Sequence, residues 1–140
     1  MDCLRKTGKR GFTLVELITV IAILAIMASI VIPSISNYIR DANASADATT
    51  AQNIENALKV SASEIKTGRA TATLKATPTV ANALLNMNLQ VAVLIPIQQN
   101  CTFYYNKTSQ TVGAFQSAPS SDYVELKTGT KLKDDLALIS

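Results

Sequence analysis

The feature that most constrains this chain is an apolar stretch of membrane length that contains a single acidic residue. Residues 12–32 carry one charge, that of Glu16, and Pro33 follows them. As a helix rising about 1.5 Å per residue, this stretch would extend about 31 Å. That length matches the hydrocarbon core of a bilayer, which is about 30 Å thick. Because a carboxylate in such a helix is costly, we expect Glu16 to have a functional role.

The charges on either side of the stretch predict its orientation in a membrane. The downstream side offers Arg40, which is followed directly by Asp41. The upstream side carries one acid, Asp2, against several basic residues: Arg5, Lys6, Lys9 and Arg10. Since basic residues stay in the cytoplasm, we expect the N-terminus inside and everything after Pro33 outside.

Two ordinary explanations of this stretch leave parts of it unexplained. A secretory signal peptide has an apolar region of about 7–15 residues followed by an Ala-x-Ala site. The run here is longer, and no such site follows it. A plain signal anchor fits the hydropathy. Neither explanation accounts for Glu16 or for the junction between Gly11 and Phe12.

The junction itself carries a family resemblance. Residues 9–17 read Lys-Arg-Gly-Phe-Thr-Leu-Val-Glu-Leu, and they closely resemble the class III signal of type IV pilins and type II secretion pseudopilins. The resemblance implies that the prepilin peptidase, a membrane enzyme, cuts between Gly11 and Phe12 on the cytoplasmic side. It also implies N-methylation of Phe12. Glu16 then corresponds to the acid of the motif, and Pro33 to the family's helix-distorting proline.

One position departs from the family pattern. Many members have a glycine where this chain has Ala25, and alanine favours helix over glycine by about 0.8–1 kcal/mol. Pro33 still removes a backbone donor and clashes with the carbonyl of Ser29. We therefore expect a helix distortion near residues 29–33.

The position of Glu16 predicts a role in assembly, which the resemblance also implies. Cleavage frees the amine of Phe12, and a spacing of four residues places both groups on one helix face. Across staggered subunits, the carboxylate would instead meet a neighbour's amine. An unpaired buried charge costs several kcal/mol, so this pairing would set the axial register. The alternative is an acid that lies near the membrane edge, where its cost is low.

Charge and composition argue against several function classes. The chain has a net charge of +3, but removal of the leader leaves nine basic and nine acidic residues. The charge therefore gives no indication of nucleic-acid binding. Histidine is absent, which excludes His-based metal sites and acid–base catalysis. No phosphate-binding loop or nucleophile elbow is present. We expect neither enzymatic activity nor a cofactor or metal, since Asp134 and Asp135 are too few for calcium.

The two cysteines exclude an intramolecular disulfide in the processed chain. Cys3 leaves with the leader, so Cys101 has no partner in the same chain. A buried, inert thiol is the default reading of Cys101, and an intersubunit disulfide is the alternative. The C-terminal region must then be held by packing alone.

The rest of the sequence predicts a long helix followed by a small head. A helix over 12–67 ends at Gly68, and Ile54 and Leu58 lie on its apolar face. In the head, Pro78 precedes a short helix through residue 87. Strands are predicted at 101–105, 111–115 and 123–126, with an extension of the last to Leu132 left open, and the first two form a hairpin. Val91, Val93 and Ile95 also alternate, although the run through Leu94 is apolar on both faces. On this reading, Lys127, Lys131 and Lys133 share a strand face.

These patterns predict an α+β protein with a long N-terminal helix, whose first half spans the membrane, packed on a small antiparallel β-sheet head. The expected segments are a cleaved leader at 1–11, a transmembrane and polymerisation helix at 12–33, its amphipathic continuation at 34–68 and a head at 69–140. Because the head is small, we expect the outer half of the helix to complete its core.

The function that these predictions favour is that of a structural pilin. It would be a membrane precursor that is cut by the peptidase and then assembled into an extracellular helical homopolymer. The resemblance implies an assembly platform and a motor ATPase as further partners. Two alternatives remain: a type II secretion pseudopilin or DNA-uptake pilin, and a membrane-anchored binding domain that never polymerises.

Overall fold

The computed structural model describes residues 11–139. The predicted leader, apart from Gly11, lies outside the described residues, as do Cys3 and Ser140. The elements follow in the order α1 (Leu14–Lys66), α2 (Ala72–Ala76), α3 (Val80–Asn86), a 3₁₀ helix (Val91–Leu94), β1 (Thr102–Asn106), β2 (Thr111–Phe115) and β3 (Tyr123–Glu125). The fold is α+β, with a long N-terminal helix and a small antiparallel sheet, as predicted.

The chain divides into two units between Ile39 and Arg40. In the first unit, α1 begins two residues later than predicted and continues through Pro33. Proline offers no amide to the carbonyl one turn earlier, here that of Ser29. The helical assignment nevertheless persists on both sides of Pro33, so the expected distortion near residues 29–33 does not interrupt the helix.

The C-terminal end of α1 forms at the glycine that the sequence predicts. Gly68 has a φ of 75°, a left-handed conformation that glycine adopts without steric cost. Its amide donates to the carbonyl of Ile65 at 3.2 Å, and the amide of Arg69 donates to the carbonyl of Glu64 at 2.9 Å. These two bonds form a Schellman motif, which satisfies carbonyls that the helix end would leave free.

The second unit has a single apolar core to which α1 contributes one face. Ile54, Leu58 and Ser61 are fully buried. The other core residues of α1 are alanines at 51, 57 and 62, and the head supplies Leu74, Val80, Ala83, Leu84, Phe103, Tyr105, Leu126, Leu132, Leu136 and Leu138. The prediction that the outer half of the helix completes the core of the head is confirmed.

The sheet has three antiparallel strands in the order β2-β1-β3. The predicted hairpin is present, with Tyr105 opposite Val112 and Asn106 opposite Thr111. Because side chains alternate along a strand, Phe103 and Tyr105 of β1 face the core while Tyr104 lies on the other face. The central strand therefore provides the two largest core side chains.

The alternating residues 91–95 form no strand, and Val91–Leu94 is the 3₁₀ helix. The amides of Val93 and Ile95 donate to the carbonyls of Gln90 and Ala92, at 3.1 and 3.2 Å. The run is apolar on both faces, and β1 already has a neighbour on each side. Alternation alone therefore does not identify a strand where no partner strand is available.

The third strand is shorter than predicted and ends at Glu125. A turn follows, in which the amide of Thr130 donates to the carbonyl of Lys127 at 3.1 Å. The Thr130 hydroxyl accepts from the Lys127 amide at 3.0 Å. Lys127, Lys131 and Lys133 therefore do not share a strand face, and that prediction is wrong.

The sequence reading also missed α2, a single turn after the end of α1. Thr71 precedes it, and its hydroxyl accepts from the amide of Leu74 at 3.4 Å, as an N-cap residue does. Leu74 is fully buried. One buried side chain is too little for a periodic signal, which explains the omission.

The C-terminal segment is held by backbone hydrogen bonds and burial. The amide of Leu132 donates to the carbonyl of Pro78 at 2.8 Å, and that of Val80 donates to the carbonyl of Thr130 at 2.9 Å. Cys101 is a free thiol, half-buried, with its sulfur 3.7 Å from the side-chain oxygen of Gln98. Within residues 11–139, the head is thus closed without a disulfide.

A buried carboxylate attaches the loop after the 3₁₀ helix to α1. Asp47 is 2% exposed, and its two oxygens accept from the amides of Ile97 at 2.7 Å and Gln98 at 3.0 Å. A carboxylate that loses water on burial needs such donors. Asp47 therefore fixes the position of residues 97 and 98 against the helix.

Replacement of this carboxylate should destabilise the head. Asp47→Ala leaves two amides without their acceptor, and hydrogen bonds to charged groups contribute about 1.5–3 kcal/mol each. We expect the free energy of unfolding of the full chain in detergent to fall by about 3 kcal/mol or more, measured by chemical denaturation.

Two controls accompany this measurement. Asp47→Asn keeps one acceptor oxygen and should lose less, while Asp41→Ala removes an exposed acid and should change little. Equal stability of Asp47→Ala and the parent chain would contradict the role assigned to Asp47.

The core also contains a polar atom without a partner. The hydroxyl of Tyr105 is buried and makes no hydrogen bond within the described residues. Burial raises the pKa of Tyr105 above its usual value, and the nearby carboxylate of Glu55 raises it further. The folded state therefore holds the phenolic proton more tightly than the unfolded chain does.

This raised pKa predicts a loss of stability in alkali. Tyr105 stabilises the fold fully below its unfolded pKa of about 10, and this contribution is lost as pH rises through the higher folded pKa. In denaturation series across that range, Tyr105→Phe should lose less stability than the parent chain. Tyr104→Phe, which changes the opposite face of the sheet, is the control. Identical pH profiles for the parent and Tyr105→Phe would rule out this effect.

Candidate functional site

The first unit presents a continuous apolar surface that is exposed within residues 11–139. Every large apolar side chain from Phe12 to Ile39 is between 49% and 89% exposed. A soluble protein rarely exposes so large an apolar area, and such patches mark membrane or protein contacts. This surface is the candidate functional site.

The helix fits a membrane by length and composition. Among residues 11–139, α1 is the one helix long and apolar enough to cross a bilayer, and its most apolar window is fully exposed. With the prepilin-type pattern at residues 9–17, this helix fits anchoring of the chain in a membrane.

The single acid of this surface lies in a capping box at the start of α1. The side-chain oxygen Oε2 of Glu16 accepts from both the amide and the hydroxyl of Thr13, each at 2.8 Å. The Thr13 hydroxyl in turn accepts from the Glu16 amide at 3.3 Å. This reciprocal pattern is the T-x-x-E capping box, which satisfies two backbone amides at a helix start.

Thr13 is a residue that the functional reading of the sequence missed. The sequence reading paired Glu16 with the amine of Phe12 or of a neighbouring subunit. In the uncut chain the nitrogen of Phe12 is a peptide amide, and the hydrogen-bond partner of the carboxylate is Thr13. The spacing of a threonine three residues before a glutamate, at the start of an apolar run, was a signal available in the sequence.

The predicted cleavage junction lies outside the helix. Gly11, Phe12 and Thr13 are exposed and precede the first helical residue, Leu14. A Cβ atom added at Gly11 would meet nothing within 4 Å. Steric packing within the described residues therefore does not explain why a glycine occupies this position.

The remaining predicted residues are not brought into one cluster. Pro33 lies inside α1, about 25 Å along the helix from Glu16 at 1.5 Å per residue. The assembly roles predicted for Pro33 and Phe12 stay predictions. Among residues 11–139, no group of three His, Cys, Asp or Glu side chains is placed to hold a metal ion. Asp135, at the acidic pair, accepts from the amide of Lys131 at 2.7 Å.

Comparison with known proteins supports the reading of the N-terminal segment. Residues 6–32 match the family model described as the prokaryotic N-terminal methylation motif. Comparisons with curated proteins and with solved structures gave no match. The match supports a class III signal at these residues, of the kind found in type IV pilin-like and pseudopilin precursors.

The capping box predicts a measurable local effect. Thr13→Val keeps the branched shape of the side chain but removes its hydroxyl, and loss of a cap costs about 1 kcal/mol. In the detergent-solubilised full chain, we expect the amide of residue 16, which loses its acceptor, to exchange its hydrogen about fivefold faster, as measured by NMR. Thr13→Ser keeps the hydroxyl and should exchange at the parent rate. Unchanged exchange in Thr13→Val would show that the box is not formed in solution.

Proposed function

We propose that this chain is a structural pilin subunit that polymerises through its N-terminal helix into a type IV pilus filament. The observation that carries the proposal is the exposed apolar surface of α1 with one carboxylate at its start. The match of residues 6–32 to the methylation motif supports the same family of functions.

The exposed apolar surface of α1 must be shielded from water both in the precursor and in the filament. In the precursor, the bilayer covers it, with residues 1–10 in the cytoplasm and the head outside. In the assembled state, copies of the same helix replace lipid. Lipid tails and packed apolar side chains are similarly apolar surroundings. The buried apolar area of α1 therefore changes little when other helices replace lipid.

Cleavage between Gly11 and Phe12 is the step that commits the chain to assembly. Gly11 is not required by packing within the described chain, which supports a role in recognition by the prepilin peptidase. The junction lies outside α1, and an extended, exposed segment is accessible to a protease. The processed chain then begins at Phe12, which becomes methylated.

Glu16 would fix the register of neighbouring subunits. Its carboxylate accepts from Thr13 in the uncut chain, and processing creates a charged amine at Phe12 that competes for it. An ion buried without a partner costs several kcal/mol. Each subunit would therefore be held where its carboxylate meets a terminal amine.

The proposed partners follow from this pathway. They are other copies of the chain, the membrane, the prepilin peptidase, and an assembly platform driven by a motor ATPase. The proposed location is the cytoplasmic membrane for the precursor and the extracellular filament for the product. We assign no enzymatic activity, and the neutral charge of the processed chain gives no support for nucleic acid as a partner.

The pseudopilin alternative shares every step except the extent of polymerisation. The methylation motif fits both classes equally. Long filaments at the cell surface support the pilin, and short assemblies within the cell envelope support the pseudopilin. Processing without polymerisation would instead leave a membrane-anchored binding domain.

Substitution of the acid tests the proposal. Glu16→Leu should insert into the membrane normally, because it removes a charge from an apolar helix. It should also lower the yield of sheared filaments by more than about tenfold, because pairing no longer selects one register. Immunoblots of membrane and sheared fractions measure both quantities.

The control is Asp122→Leu, which removes an exposed acid of the head and should leave filament yield unchanged. A normal filament yield from Glu16→Leu would refute the role of the carboxylate. Absence of filaments from the parent chain under the same conditions would refute the pilin function itself.

A further inference from the structure

The apolar surface of α1 extends past the end of the membrane-length stretch. Ile35, Tyr38 and Ile39 follow Pro33 and are 49%, 76% and 52% exposed. They belong to the same unit of the chain as residues 12–32, and their spacings of three and four residues place them on one helix face. These three residues are here called the Tyr38 stripe.

The length of the helix predicts where the Tyr38 stripe lies relative to a membrane. Residues 12–32 extend about 31 Å and span a hydrocarbon core of about 30 Å. The Cα atom of Tyr38 then lies about 9 Å beyond the core. The headgroup layer is about 5–8 Å thick on each side, and side chains on a helix lean toward its N-terminus. On the outer side this direction is toward the bilayer, so the ring of Tyr38 reaches the headgroup layer.

Tyr38 has the chemistry that this layer favours. Its ring is apolar and its hydroxyl is polar, and tyrosines are enriched where the hydrocarbon core meets the headgroups. Among the large apolar side chains of α1, that of Tyr38 is the most exposed. This exposure leaves both the ring and the hydroxyl accessible to lipid.

Two serines between the boundary of the core and Tyr38 fit the same surroundings. The hydroxyl of Ser34 donates to the carbonyl of Ile30 at 3.4 Å, and that of Ser36 donates to the carbonyl of Ile32 at 3.3 Å. A hydroxyl that is removed from water needs such a partner, which its own helix can supply. The helix therefore passes the edge of the hydrocarbon core with these polar side chains satisfied.

A positive charge follows the Tyr38 stripe. Arg40 comes directly after Ile39, and no carboxylate lies within 4 Å of its guanidinium in the described part of the chain. Asp41, the next residue, is therefore not its ion-pair partner. A long arginine side chain near the end of a membrane helix extends back to the interface. Because a guanidinium binds phosphate through paired hydrogen bonds, Arg40 is complementary to the phosphates of phospholipid headgroups.

We propose that the Tyr38 stripe and Arg40 bind phospholipid headgroups on the outer side of the membrane and set the depth of α1 in the precursor. The inference rests on the proposed function, in which the precursor spans the membrane with its head outside. It adds the residues that hold the helix at one depth before assembly.

The depth of the helix has a consequence for Glu16. Along α1, Glu16 lies about 33 Å before Tyr38. With Tyr38 at the outer headgroups, this distance brings Glu16 close to the opposite boundary of a hydrocarbon core about 30 Å thick. A carboxylate is less costly at that boundary than at the centre of the bilayer. Contact with headgroups on the outer side thus keeps the carboxylate near water on the cytoplasmic side.

Single tryptophans measure this depth, because the chain contains no tryptophan of its own. The full uncut chain is placed in phosphatidylcholine vesicles whose acyl chains are brominated either near the headgroup or near the bilayer centre. The shallow bromines should quench Tyr38→Trp at least about threefold more than the deep ones, and Ile23→Trp should show the reverse. The control is Val60→Trp, an exposed position of α1 after residue 40, which neither lipid should quench.

The contrary outcomes separate the inference from the proposed function. If Tyr38→Trp is as accessible to aqueous iodide as Val60→Trp, or is quenched mainly by the deep bromines, the inference is overturned. Shielding from iodide without quenching by either lipid would mean that protein covers this position, and it would overturn the inference as well. These results leave the proposed function standing. Absence of quenching of Ile23→Trp by the deep bromines would show that the chain does not span the bilayer, which counts against the proposed function itself.

A second measurement tests whether these residues set the depth. In an Ile30→Trp chain, the reporter lies near the outer boundary of the core. The added substitutions Tyr38→Ser and Arg40→Ser should change its ratio of shallow to deep quenching at least about twofold. Asn37→Ser, which alters an exposed polar neighbour, should leave the ratio unchanged, and circular dichroism checks that all variants remain folded. An unchanged ratio after the double substitution would overturn the inference.

Discussion

The rest of the structure depends on the burial of one face of α1 in the core of the head. Ile54 and Leu58 are fully buried, so the short strands and helices of the head pack on the part of α1 after residue 40. Within residues 11–139, the large apolar side chains from Phe12 to Ile39 are exposed. Hydrophobic surface of this extent is unfavourable in water. The same helix thus completes the core of the head and also exposes apolar side chains, which the proposed function buries in a membrane or against other copies of the chain.

Two carboxylates of α1 illustrate how environment divides their roles. Asp47 is buried and uses both oxygens on backbone amides of one loop, so it is committed to holding the fold. Glu16 is exposed and uses one oxygen on Thr13. The bonds of Glu16 are local and span three residues, so they can exchange for a stronger charged donor at little cost to the fold. Of these two carboxylates, Glu16 is therefore the one suited to the proposed contact between subunits.

The parts of the fold that the sequence predicted are those with a strong local or periodic signal. The helix end at Gly68, the apolar face around Ile54 and the hairpin of β1 and β2 each depend on neighbours close in sequence. The alternation at residues 91–95 did not decide the structure of that segment, because it carries no information about an available partner strand. The structural role of Asp47 was missed because the amide that donates to its carboxylate lies in a loop 50 residues away.

The candidate site likewise has parts that the sequence predicted and parts that it did not. The apolar stretch, Glu16 and the Gly11 junction were evident from residue types and spacing, and the motif match agrees with them. The only sequence signal for Thr13 was a capping pattern, which the functional interpretation did not use. The apolar groove of the head is lined by residues from the 3₁₀ helix and from the turn after β3. Sequence periodicity does not predict contacts between segments so far apart in the chain.

The most direct test of the account is the intact mass and N-terminal sequence of this chain in material sheared from producing cells. The account predicts a chain that begins at methylated Phe12 and sediments in filaments. An uncut chain that remains only in membranes would contradict it and would leave a simple membrane-anchored domain.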